Sequence, residues 1–218
     1  MRIAAIVSLL CGCTALAGCG GKARVAGAPV SGQSTLKPAV DPGADWQLIA
    51  TDDDRNRLRG WRDTWLAAID KARSGGRGAD IDALHELVDF DRALTDPLPP
   101  AGPYRCTVYK IGANGTAMAD FTAFEPADCE IVAGGGLREF HKIDGVQRPD
   151  GLLYPDGARA IFLGTMVYGD EDKPFRYGQD RLRDMAGYVE RIGARRWRLV
   201  LPAPRFESLL DVVEIVPA

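Results

Sequence analysis

The residues most often used for catalysis are scarce in this sequence. It has only two histidines, His85 and His141, and neither lies within a recognisable catalytic motif. There is no Gly-x-Ser-x-Gly elbow for a serine nucleophile and no His-Glu-x-x-His pair for a zinc-bound water. The glycines at 134–136 are not followed by Lys-Ser or Lys-Thr, which favours a hairpin turn over a phosphate loop. We therefore expect no catalytic histidine, no metal and no cofactor, and we favour a protein that is not an enzyme.

Carboxylate side chains leave one route to catalysis open. A glycosidase-like hydrolase needs two carboxyl groups about 5–9.5 Å apart and no histidine. Most of the acids in the second half of the chain fall at expected turns or exposed strand faces, where solvation accounts for them. A hydrolase with paired carboxylates is therefore the alternative hypothesis. The candidate acids are Glu139, Asp144, Asp150, Asp156, Asp170, Glu171, Asp172, Asp180, Asp184, Glu190 and Glu214.

The best candidate for a binding site is the segment 141–154, which joins two predicted strands by a loop. Arg148 could bind a carboxylate or phosphate through two hydrogen bonds, with a lysine as a second charge. In the alternative that we favour, Arg148 pairs internally with an acid such as Glu190 or Asp184 and fixes the hairpin. The candidate binding residues, expected to lie within reach of one another, are Lys142, Gln147, Arg148 and Tyr154.

The N-terminus has the pattern of a secretory signal. Arg2 supplies a positive charge, an apolar run from Ile3 to Leu10 follows, and small residues lead to Cys19. The run is shorter than the ~20 apolar residues that a membrane-spanning helix needs. The tetrad Leu16-Ala-Gly-Cys19 resembles the lipobox of bacterial lipoproteins. In such signals the cysteine receives a diacylglycerol, cleavage occurs just before it, and the new amine is acylated, for example with palmitate.

This tetrad predicts that Cys19 is the lipidated first residue of the mature chain. We expect the protein to be held by its lipid at the periplasmic face of a bacterial membrane. Gly20, rather than an acid, resembles the signal for sorting to the outer membrane. One alternative is an ordinary signal peptide with a chance cysteine. Another is lipidation at the tetrad Leu10-Cys-Gly-Cys13. Its second residue matches the lipobox less well, and the apolar run before it is shorter.

Five cysteines are present, and three of them lie at or before the expected cleavage site. Cys106 and Cys129 remain, an even pair in an oxidising compartment, so we predict a disulfide between them. By the loop-entropy argument such a bridge stabilises the fold by roughly 3 kcal/mol. The alternative, a metal site with His141 as a further ligand, lacks enough ligands nearby.

Composition indicates one domain on a tether. Apolar residues make up 46% of the chain, enough to form a core, and the formal net charge of -3 argues against a nucleic-acid partner. We divide the chain into a signal peptide (1–18), the lipidated cysteine with a flexible tether (19–44), a helical part (45–100) and a β-rich part of the same domain (101–218). The tether would hold the domain ~25–30 Å from the bilayer.

Helices are expected in the first part of the domain. A first helix begins at Thr51 or Asp52, carries apolar residues at helical spacing, and ends at Gly75-Gly76. Because Trp61 and Trp65 share this spacing with leucine and isoleucine, core packing is favoured over a ligand platform. Asp80 is expected to cap the N-terminus of a second short helix.

Short segments rich in β-branched and aromatic residues follow, separated by glycine or aspartate turns. Their number and spacing predict an α+β, β-rich domain: helices packed on an antiparallel meander sheet or barrel of about eight strands. The predicted strands are Tyr104–Ile111, Ala119–Phe124, Cys129–Ala133, Leu137–Ile143, Gly151–Tyr154, Ala158–Gly164, Met185–Ile192, Trp197–Leu201 and Leu209–Val216.

Several segments together resemble a known family. They are Tyr104-Arg-Cys106, Lys142-x-x-Gly145-x-Gln-Arg148-x-x-Gly151-x-x-Tyr154, Phe162-Leu-Gly164, and the closing stretch from Arg196 through Pro217. The combined pattern, over about residues 44–218, is similar to a bacterial family known as domain of unknown function 4893. The resemblance implies a secreted, cysteine-paired envelope domain, and it supplies no activity and no catalytic residue.

Two functional hypotheses follow from these observations. The first is a non-catalytic envelope lipoprotein, anchored to the membrane through its N-terminal lipid, whose β-rich domain binds a small ligand or an envelope protein. It predicts a cavity or groove near Lys142, Arg148 and Tyr154. The second is an envelope hydrolase that uses paired carboxylates, and it predicts two buried acids facing one cleft.

The lipid anchor can be tested directly by mass spectrometry of the mature protein. We expect an N-terminal Cys19 carrying diacylglycerol and an amide-linked acyl chain, because the tetrad specifies both modifications. Replacing Cys19 by Ala should abolish both the acyl mass and the cleavage. An unmodified mature N-terminus at any other residue would refute the assignment.

Overall fold

The structure is a computed structural model that describes residues 45–115 and 118–218. The predicted signal peptide (1–18), Cys19 and the tether (20–44) lie outside the described residues.

The helical part consists of short helical segments. Its helices are α1 (Trp46–Ile49), α2 (Asp52–Arg59), α3 (Trp61–Ala72) and α4 (Gly78–Ala83), followed by a 3-10 turn at His85–Leu87. Thr51 caps α2 as predicted, because its hydroxyl accepts a hydrogen bond from the Asp54 N–H at 3.2 Å. The predicted first helix is divided at Gly60. After α3, Gly76 adopts a φ of 79° and turns the chain into α4, which begins two residues before the predicted cap at Asp80.

The β-rich part is a closed antiparallel barrel of eight strands with one extra strand. The strands are β1 (Gly102–Ala113), β2 (Phe121–Ala123), β3 (Ala127–Gly134), β4 (Leu137–Lys142), β5 (Gln147–Asp156), β6 (Arg159–Tyr168), β7 (Asp184–Gly193), β8 (Arg196–Pro202) and β9 (Ser208–Pro217). Strand β1 closes the barrel, since it pairs with β9 along one edge and with β3 and then β2 along the other. The predicted barrel architecture is therefore confirmed.

Alternation along the strands divides the apolar residues between the barrel interior and its outer face. One face of each strand points into the barrel, where Phe140, Phe162 and Leu199 are fully buried. The predicted disulfide is confirmed in this interior, where Cys106 on β1 and Cys129 on β3 are bonded with a Cα–Cα distance of 6.0 Å.

The helices cover part of the outer face of the barrel, along β1, β7, β8 and β9. Trp65 and Ala68 of α3 pack against Ile111 of β1 and Val212 of β9, and all four side chains are buried. The rings of Trp61 and Trp65 meet edge to face with centroids 6.1 Å apart. The interpretation of these tryptophans as core residues is thus confirmed.

A buried arginine fastens the helical part to the barrel. Arg198 of β8 is fully buried, and its Nε donates to Oε2 of Glu190 at 2.7 Å. Its Nη1 donates to the carbonyls of Leu87 and Asp89, each at 2.8 Å. The guanidinium also lies over the Trp65 ring, 4.9 Å from its centroid. One side chain therefore holds the segment after α4 against the barrel wall.

Removing the disulfide should weaken the barrel without changing its fold. We expect Cys106→Ala/Cys129→Ala to lower the free energy of unfolding by about 3 kcal/mol, because the unfolded chain regains the freedom of the closed loop. Denaturant unfolding under oxidising conditions measures the change. Reductant should lower the stability of the wild type by a similar amount and leave the variant unaffected. Equal stability of the variant and the oxidised wild type would contradict the prediction.

Candidate functional site

A cavity of about 540 Å³ lies at one end of the barrel. At this end, called the open end below, β1, β4, β6 and β8 finish and β3, β5, β7 and β9 begin. Most of the cavity wall is apolar and comes from inward-facing strand residues. These residues are Val108, Pro149, Met166, Leu201 and Val213.

The other end of the barrel is crossed by the segment that precedes β1. Leu98 from this segment packs against the interior core, and the Leu94 N–H donates to the Arg191 carbonyl at 2.8 Å. Beneath it, Tyr104 and Trp197 meet edge to face with centroids 6.0 Å apart. The Tyr104 hydroxyl donates to the Pro100 carbonyl at 2.7 Å. These contacts form a plug, and a second cavity of about 500 Å³ lies at this end among Leu98, Tyr104, Arg191 and Trp197. The cavity at the open end lies on the other side of the plug.

An ion pair lies in the cavity wall where β1 and β9 approach the open end. Tyr104, Cys106 and Val108 point inward along β1, and the next residue of this alternation is Lys110. The register places Lys110 opposite Asp211 of β9, and the lysine Nζ lies 2.9 Å from Oδ2 of the aspartate. Lys110 is 5% exposed and Asp211 is 3% exposed. Two charges inside the barrel are therefore in direct contact.

Further polar groups surround this pair. Oε2 of Glu207 lies 3.1 Å from the Lys110 Nζ and accepts a hydrogen bond from Nε2 of Gln147 at 3.2 Å. The Ser208 hydroxyl donates to Oδ1 of Asp211. Glu207 itself has a φ of 74°, an uncommon conformation for a residue other than glycine. Such strained residues cluster at functional sites, which supports this group of side chains as the polar part of a site.

Burial and charge set the pKa values of the pair. Burial tends to lower the pKa of Lys110, but Asp211 and Glu207 attract its ammonium and together raise the pKa. Its contribution to stability is therefore present at neutral pH and is lost only when the pH rises through this elevated value. Burial raises the pKa of Asp211, and Lys110 offsets this only in part. The ionised Asp211 on its own would destabilise the fold at neutral pH, so it depends on Lys110.

Two of the four predicted binding residues line the cavity. Gln147 bonds to Glu207 as described, and Lys142 lies near the opening, where its Nζ donates to the Asp144 carbonyl. Partial burial, reinforced by the positive charge of Arg148, lowers the pKa of Lys142. The structure therefore brings Lys142 and Gln147 to one cavity.

The other two predicted binding residues lie elsewhere. Tyr154 is at the opposite end of β5 and packs beneath the helices with 3% exposure. Arg148 donates to backbone carbonyls, including those of Tyr168 at 3.0 Å and Glu171 at 2.6 Å. An internal role was expected for Arg148, but through an acid, and the observed partners are carbonyl oxygens. Glu190 bonds instead to Arg159 and Arg198, and Asp184 accepts from the Gly178 N–H.

The sequence-based search missed Lys110, Glu207 and Asp211. For Lys110 and Asp211, the alternation of the strand residues was the signal that could have identified them, because both continue an inward-facing apolar series. No group of three or more His, Cys, Asp or Glu side chains suited to a metal ion occurs within residues 45–115 and 118–218. The polar end of the cavity is instead a mixed group of carboxylates, lysines and an amide.

The buried pair can be tested by a double-mutant cycle. We expect Lys110→Met to lower the free energy of unfolding at neutral pH by about 3 kcal/mol, because Asp211 and Glu207 are left without their shared cation. Lys110→Met/Asp211→Asn should recover much of this loss. The loss in Lys110→Met should also shrink in mild acid, as Asp211 takes up a proton. Denaturant unfolding across pH checks both results, and a double variant no more stable than Lys110→Met would contradict them.

Comparison with known proteins agrees with the resemblance seen in the sequence. A family described as Domain of unknown function (DUF4893) matches residues 46–215. Searches of curated proteins and of solved structures each gave no match. The matched span includes the helical part and nearly all of the barrel with its cavity. The chain therefore belongs to the family of domain of unknown function 4893.

Proposed function

We propose that this protein is a membrane-anchored bacterial envelope lipoprotein whose barrel binds a small, largely apolar molecule in the cavity at the open end. The observation that carries the proposal is the cavity itself, with apolar walls and a compact group of polar side chains. Its volume of about 540 Å³ is in the range of sites that bind small organic ligands. Eight-stranded barrels are wide enough to hold one such ligand.

The polar side chains define what the ligand's polar end should be. Glu125, Glu207 and Asp211 line the cavity, against two lysines. Acids therefore outnumber bases, and the carboxylates accept hydrogen bonds. The favoured ligand has an apolar body and a polar end with hydrogen-bond donors or a positive charge.

The membrane location rests on the N-terminal sequence. The tetrad that ends at Cys19 and the apolar run before it support a lipid anchor in the outer membrane, facing the periplasm. In the described ranges, no helix has both the length and the apolar character required to cross a bilayer.

The hydrolase hypothesis has its best carboxylate pair in Glu207 and Asp211, since both contact Lys110 and line the cavity. Both oxygens of Asp211 are engaged, one by Lys110 and the other by the Ser208 hydroxyl. This arrangement suits recognition better than proton transfer, so ligand binding is the preferred proposal.

A cavity-filling substitution tests the proposal. The chain from Gly20 to Ala218 should bind the apolar fluorophore N-phenylnaphthylamine with an increase in its fluorescence. Val108→Phe should weaken binding by about tenfold or more, because the added ring occupies the apolar volume that the ligand needs. Val132→Phe, on the outer face of β3, makes the same change away from the cavity and should bind as the wild type does. Wild type that binds no probe, or equal binding by Val108→Phe, would overturn the proposal.

Competition tests the expected polar end. Dodecylamine should displace the probe at lower concentration than dodecanoate, because acids outnumber lysines in the lining. Glu207→Gln should reduce the difference between the displacing concentrations of the two competitors, because it removes one carboxylate from the lining. The measurement is the concentration of each competitor that halves probe fluorescence at neutral pH. Equal or stronger displacement by dodecanoate would contradict the assigned polarity while leaving binding in the cavity intact.

A further inference from the structure

Exposed apolar side chains are concentrated at the open end of the barrel. Nine large apolar residues are exposed among those that the structure describes, and six of them lie in the loops at this end. Four different loops contribute, so the six form a rim around the cavity opening, called the apolar rim below. Its members are Phe124, Ile143, Val146, Phe175, Leu182 and Phe206. Clustered exposure of this kind marks an interaction surface, whereas scattered exposure is ordinary.

The apolar rim is continuous with the cavity. Phe124 and Val146 belong to the rim and also line the cavity wall. An apolar molecule entering from the rim would therefore meet apolar surface along its whole path. If the rim faced water, this apolar path would be exposed to water. If the rim contacted lipid, the path would stay in apolar surroundings.

The N-terminal part of the domain is attached at the same end. The Thr51 N–H donates to the Tyr177 hydroxyl at 3.0 Å, and Asp53 pairs with Arg181 at 2.8 Å and with Arg205 at 3.3 Å. Tyr177 and Arg181 lie in the β6–β7 loop, and Arg205 lies in the β8–β9 loop. The start of α2, only 33 positions after Cys19, is thus fixed to the loops that carry the apolar rim.

The charges of the loops indicate which kind of surface the apolar rim could contact. The four loops at 124–126, 143–146, 169–183 and 203–207 contain seven acidic and five basic residues. This balance gives no basic patch for anionic lipid headgroups. Contact with a bilayer would therefore depend on insertion of the apolar side chains into the interface.

We propose that the open end docks on the surface of a lipid bilayer through the apolar rim, so that the cavity exchanges its ligand directly with the membrane. The proposal rests on the proposed function, because it assigns the source of the apolar ligand bound in the cavity. The anchor and tether hold the domain within ~25–30 Å of the bilayer. Attachment of α2 at the open end places the start of the helical part on the same side of the barrel as the rim.

Tryptophan fluorescence of the lipidated protein in phosphatidylcholine vesicles tests the docking. Leu182→Trp places a reporter on the rim, and Leu66→Trp places one on α3, where the leucine is similarly exposed, 56% against 62%. Bromine atoms on the acyl chains should quench the added fluorescence of Leu182→Trp and leave that of Leu66→Trp unchanged. Replacing some of the lipid with anionic lipid should not increase the quenching. An unquenched Leu182→Trp, as expected for a rim that binds a protein instead, would overturn the proposal.

Transfer of N-phenylnaphthylamine from vesicles to the protein separates docking from ligand binding. Ile143→Ser/Leu182→Ser removes two rim residues that do not line the cavity, so affinity for the probe in detergent solution should remain that of the wild type. The rate of transfer from vesicles should fall about tenfold, because less apolar surface enters the interface. Leu66→Ser is the control and should transfer at the wild-type rate. Unchanged affinity with unchanged transfer would refute docking alone, whereas a wild type without affinity would refute the proposed function.

Discussion

Closure of the barrel through β1 is the constraint on which the rest of the structure depends. Strand β1 pairs with β9 over nearly its whole length and shares its other edge between β3 and β2. Closure fixes which residues face inward on every strand, and a shift by one residue would exchange the two faces. It brings Cys106 beside Cys129 in the interior and Ile111 beneath α3 on the outside. The inner core, the helical cover and the cavity wall all follow from this one register.

The same register explains why charges lie inside an otherwise apolar barrel. Lys110 must face inward because it continues the alternation of Cys106 and Val108, and an isolated buried ammonium would be strongly unfavourable. Asp211 lies directly opposite on β9, and Glu207 reaches the same nitrogen from the loop before it. Replacing such a pair by apolar residues is often neutral or stabilising in other proteins, so stability does not explain its presence. The role proposed above, recognition of the polar end of a ligand, would explain it.

The sequence predicted the elements well and the site only in part, and particular residues show why. Helical spacing identified Trp61 and Trp65 as core, and cysteine number with compartment identified the disulfide, because both signals are local or countable. Gln147 and Arg148 belong to one predicted patch, but neighbours on a strand point to opposite faces, so only Gln147 lines the cavity. The Lys110–Asp211 contact spans a sequence separation of 101 and depends on the pairing of β1 with β9, which no local pattern specifies.

The two ends of the barrel differ for a physical reason that also bears on function. The chain reaches β1 after crossing the far end, where Leu98 packs against the interior core and Tyr104 contacts Trp197. The loops at the open end instead hold one another from the outside, and Arg148 bonds to carbonyls of two of them. Because Arg148 supports these loops from outside the barrel, its side chain does not occupy the space inside. An opening ringed by apolar residues is then the route by which an apolar molecule could reach the cavity without crossing the plug.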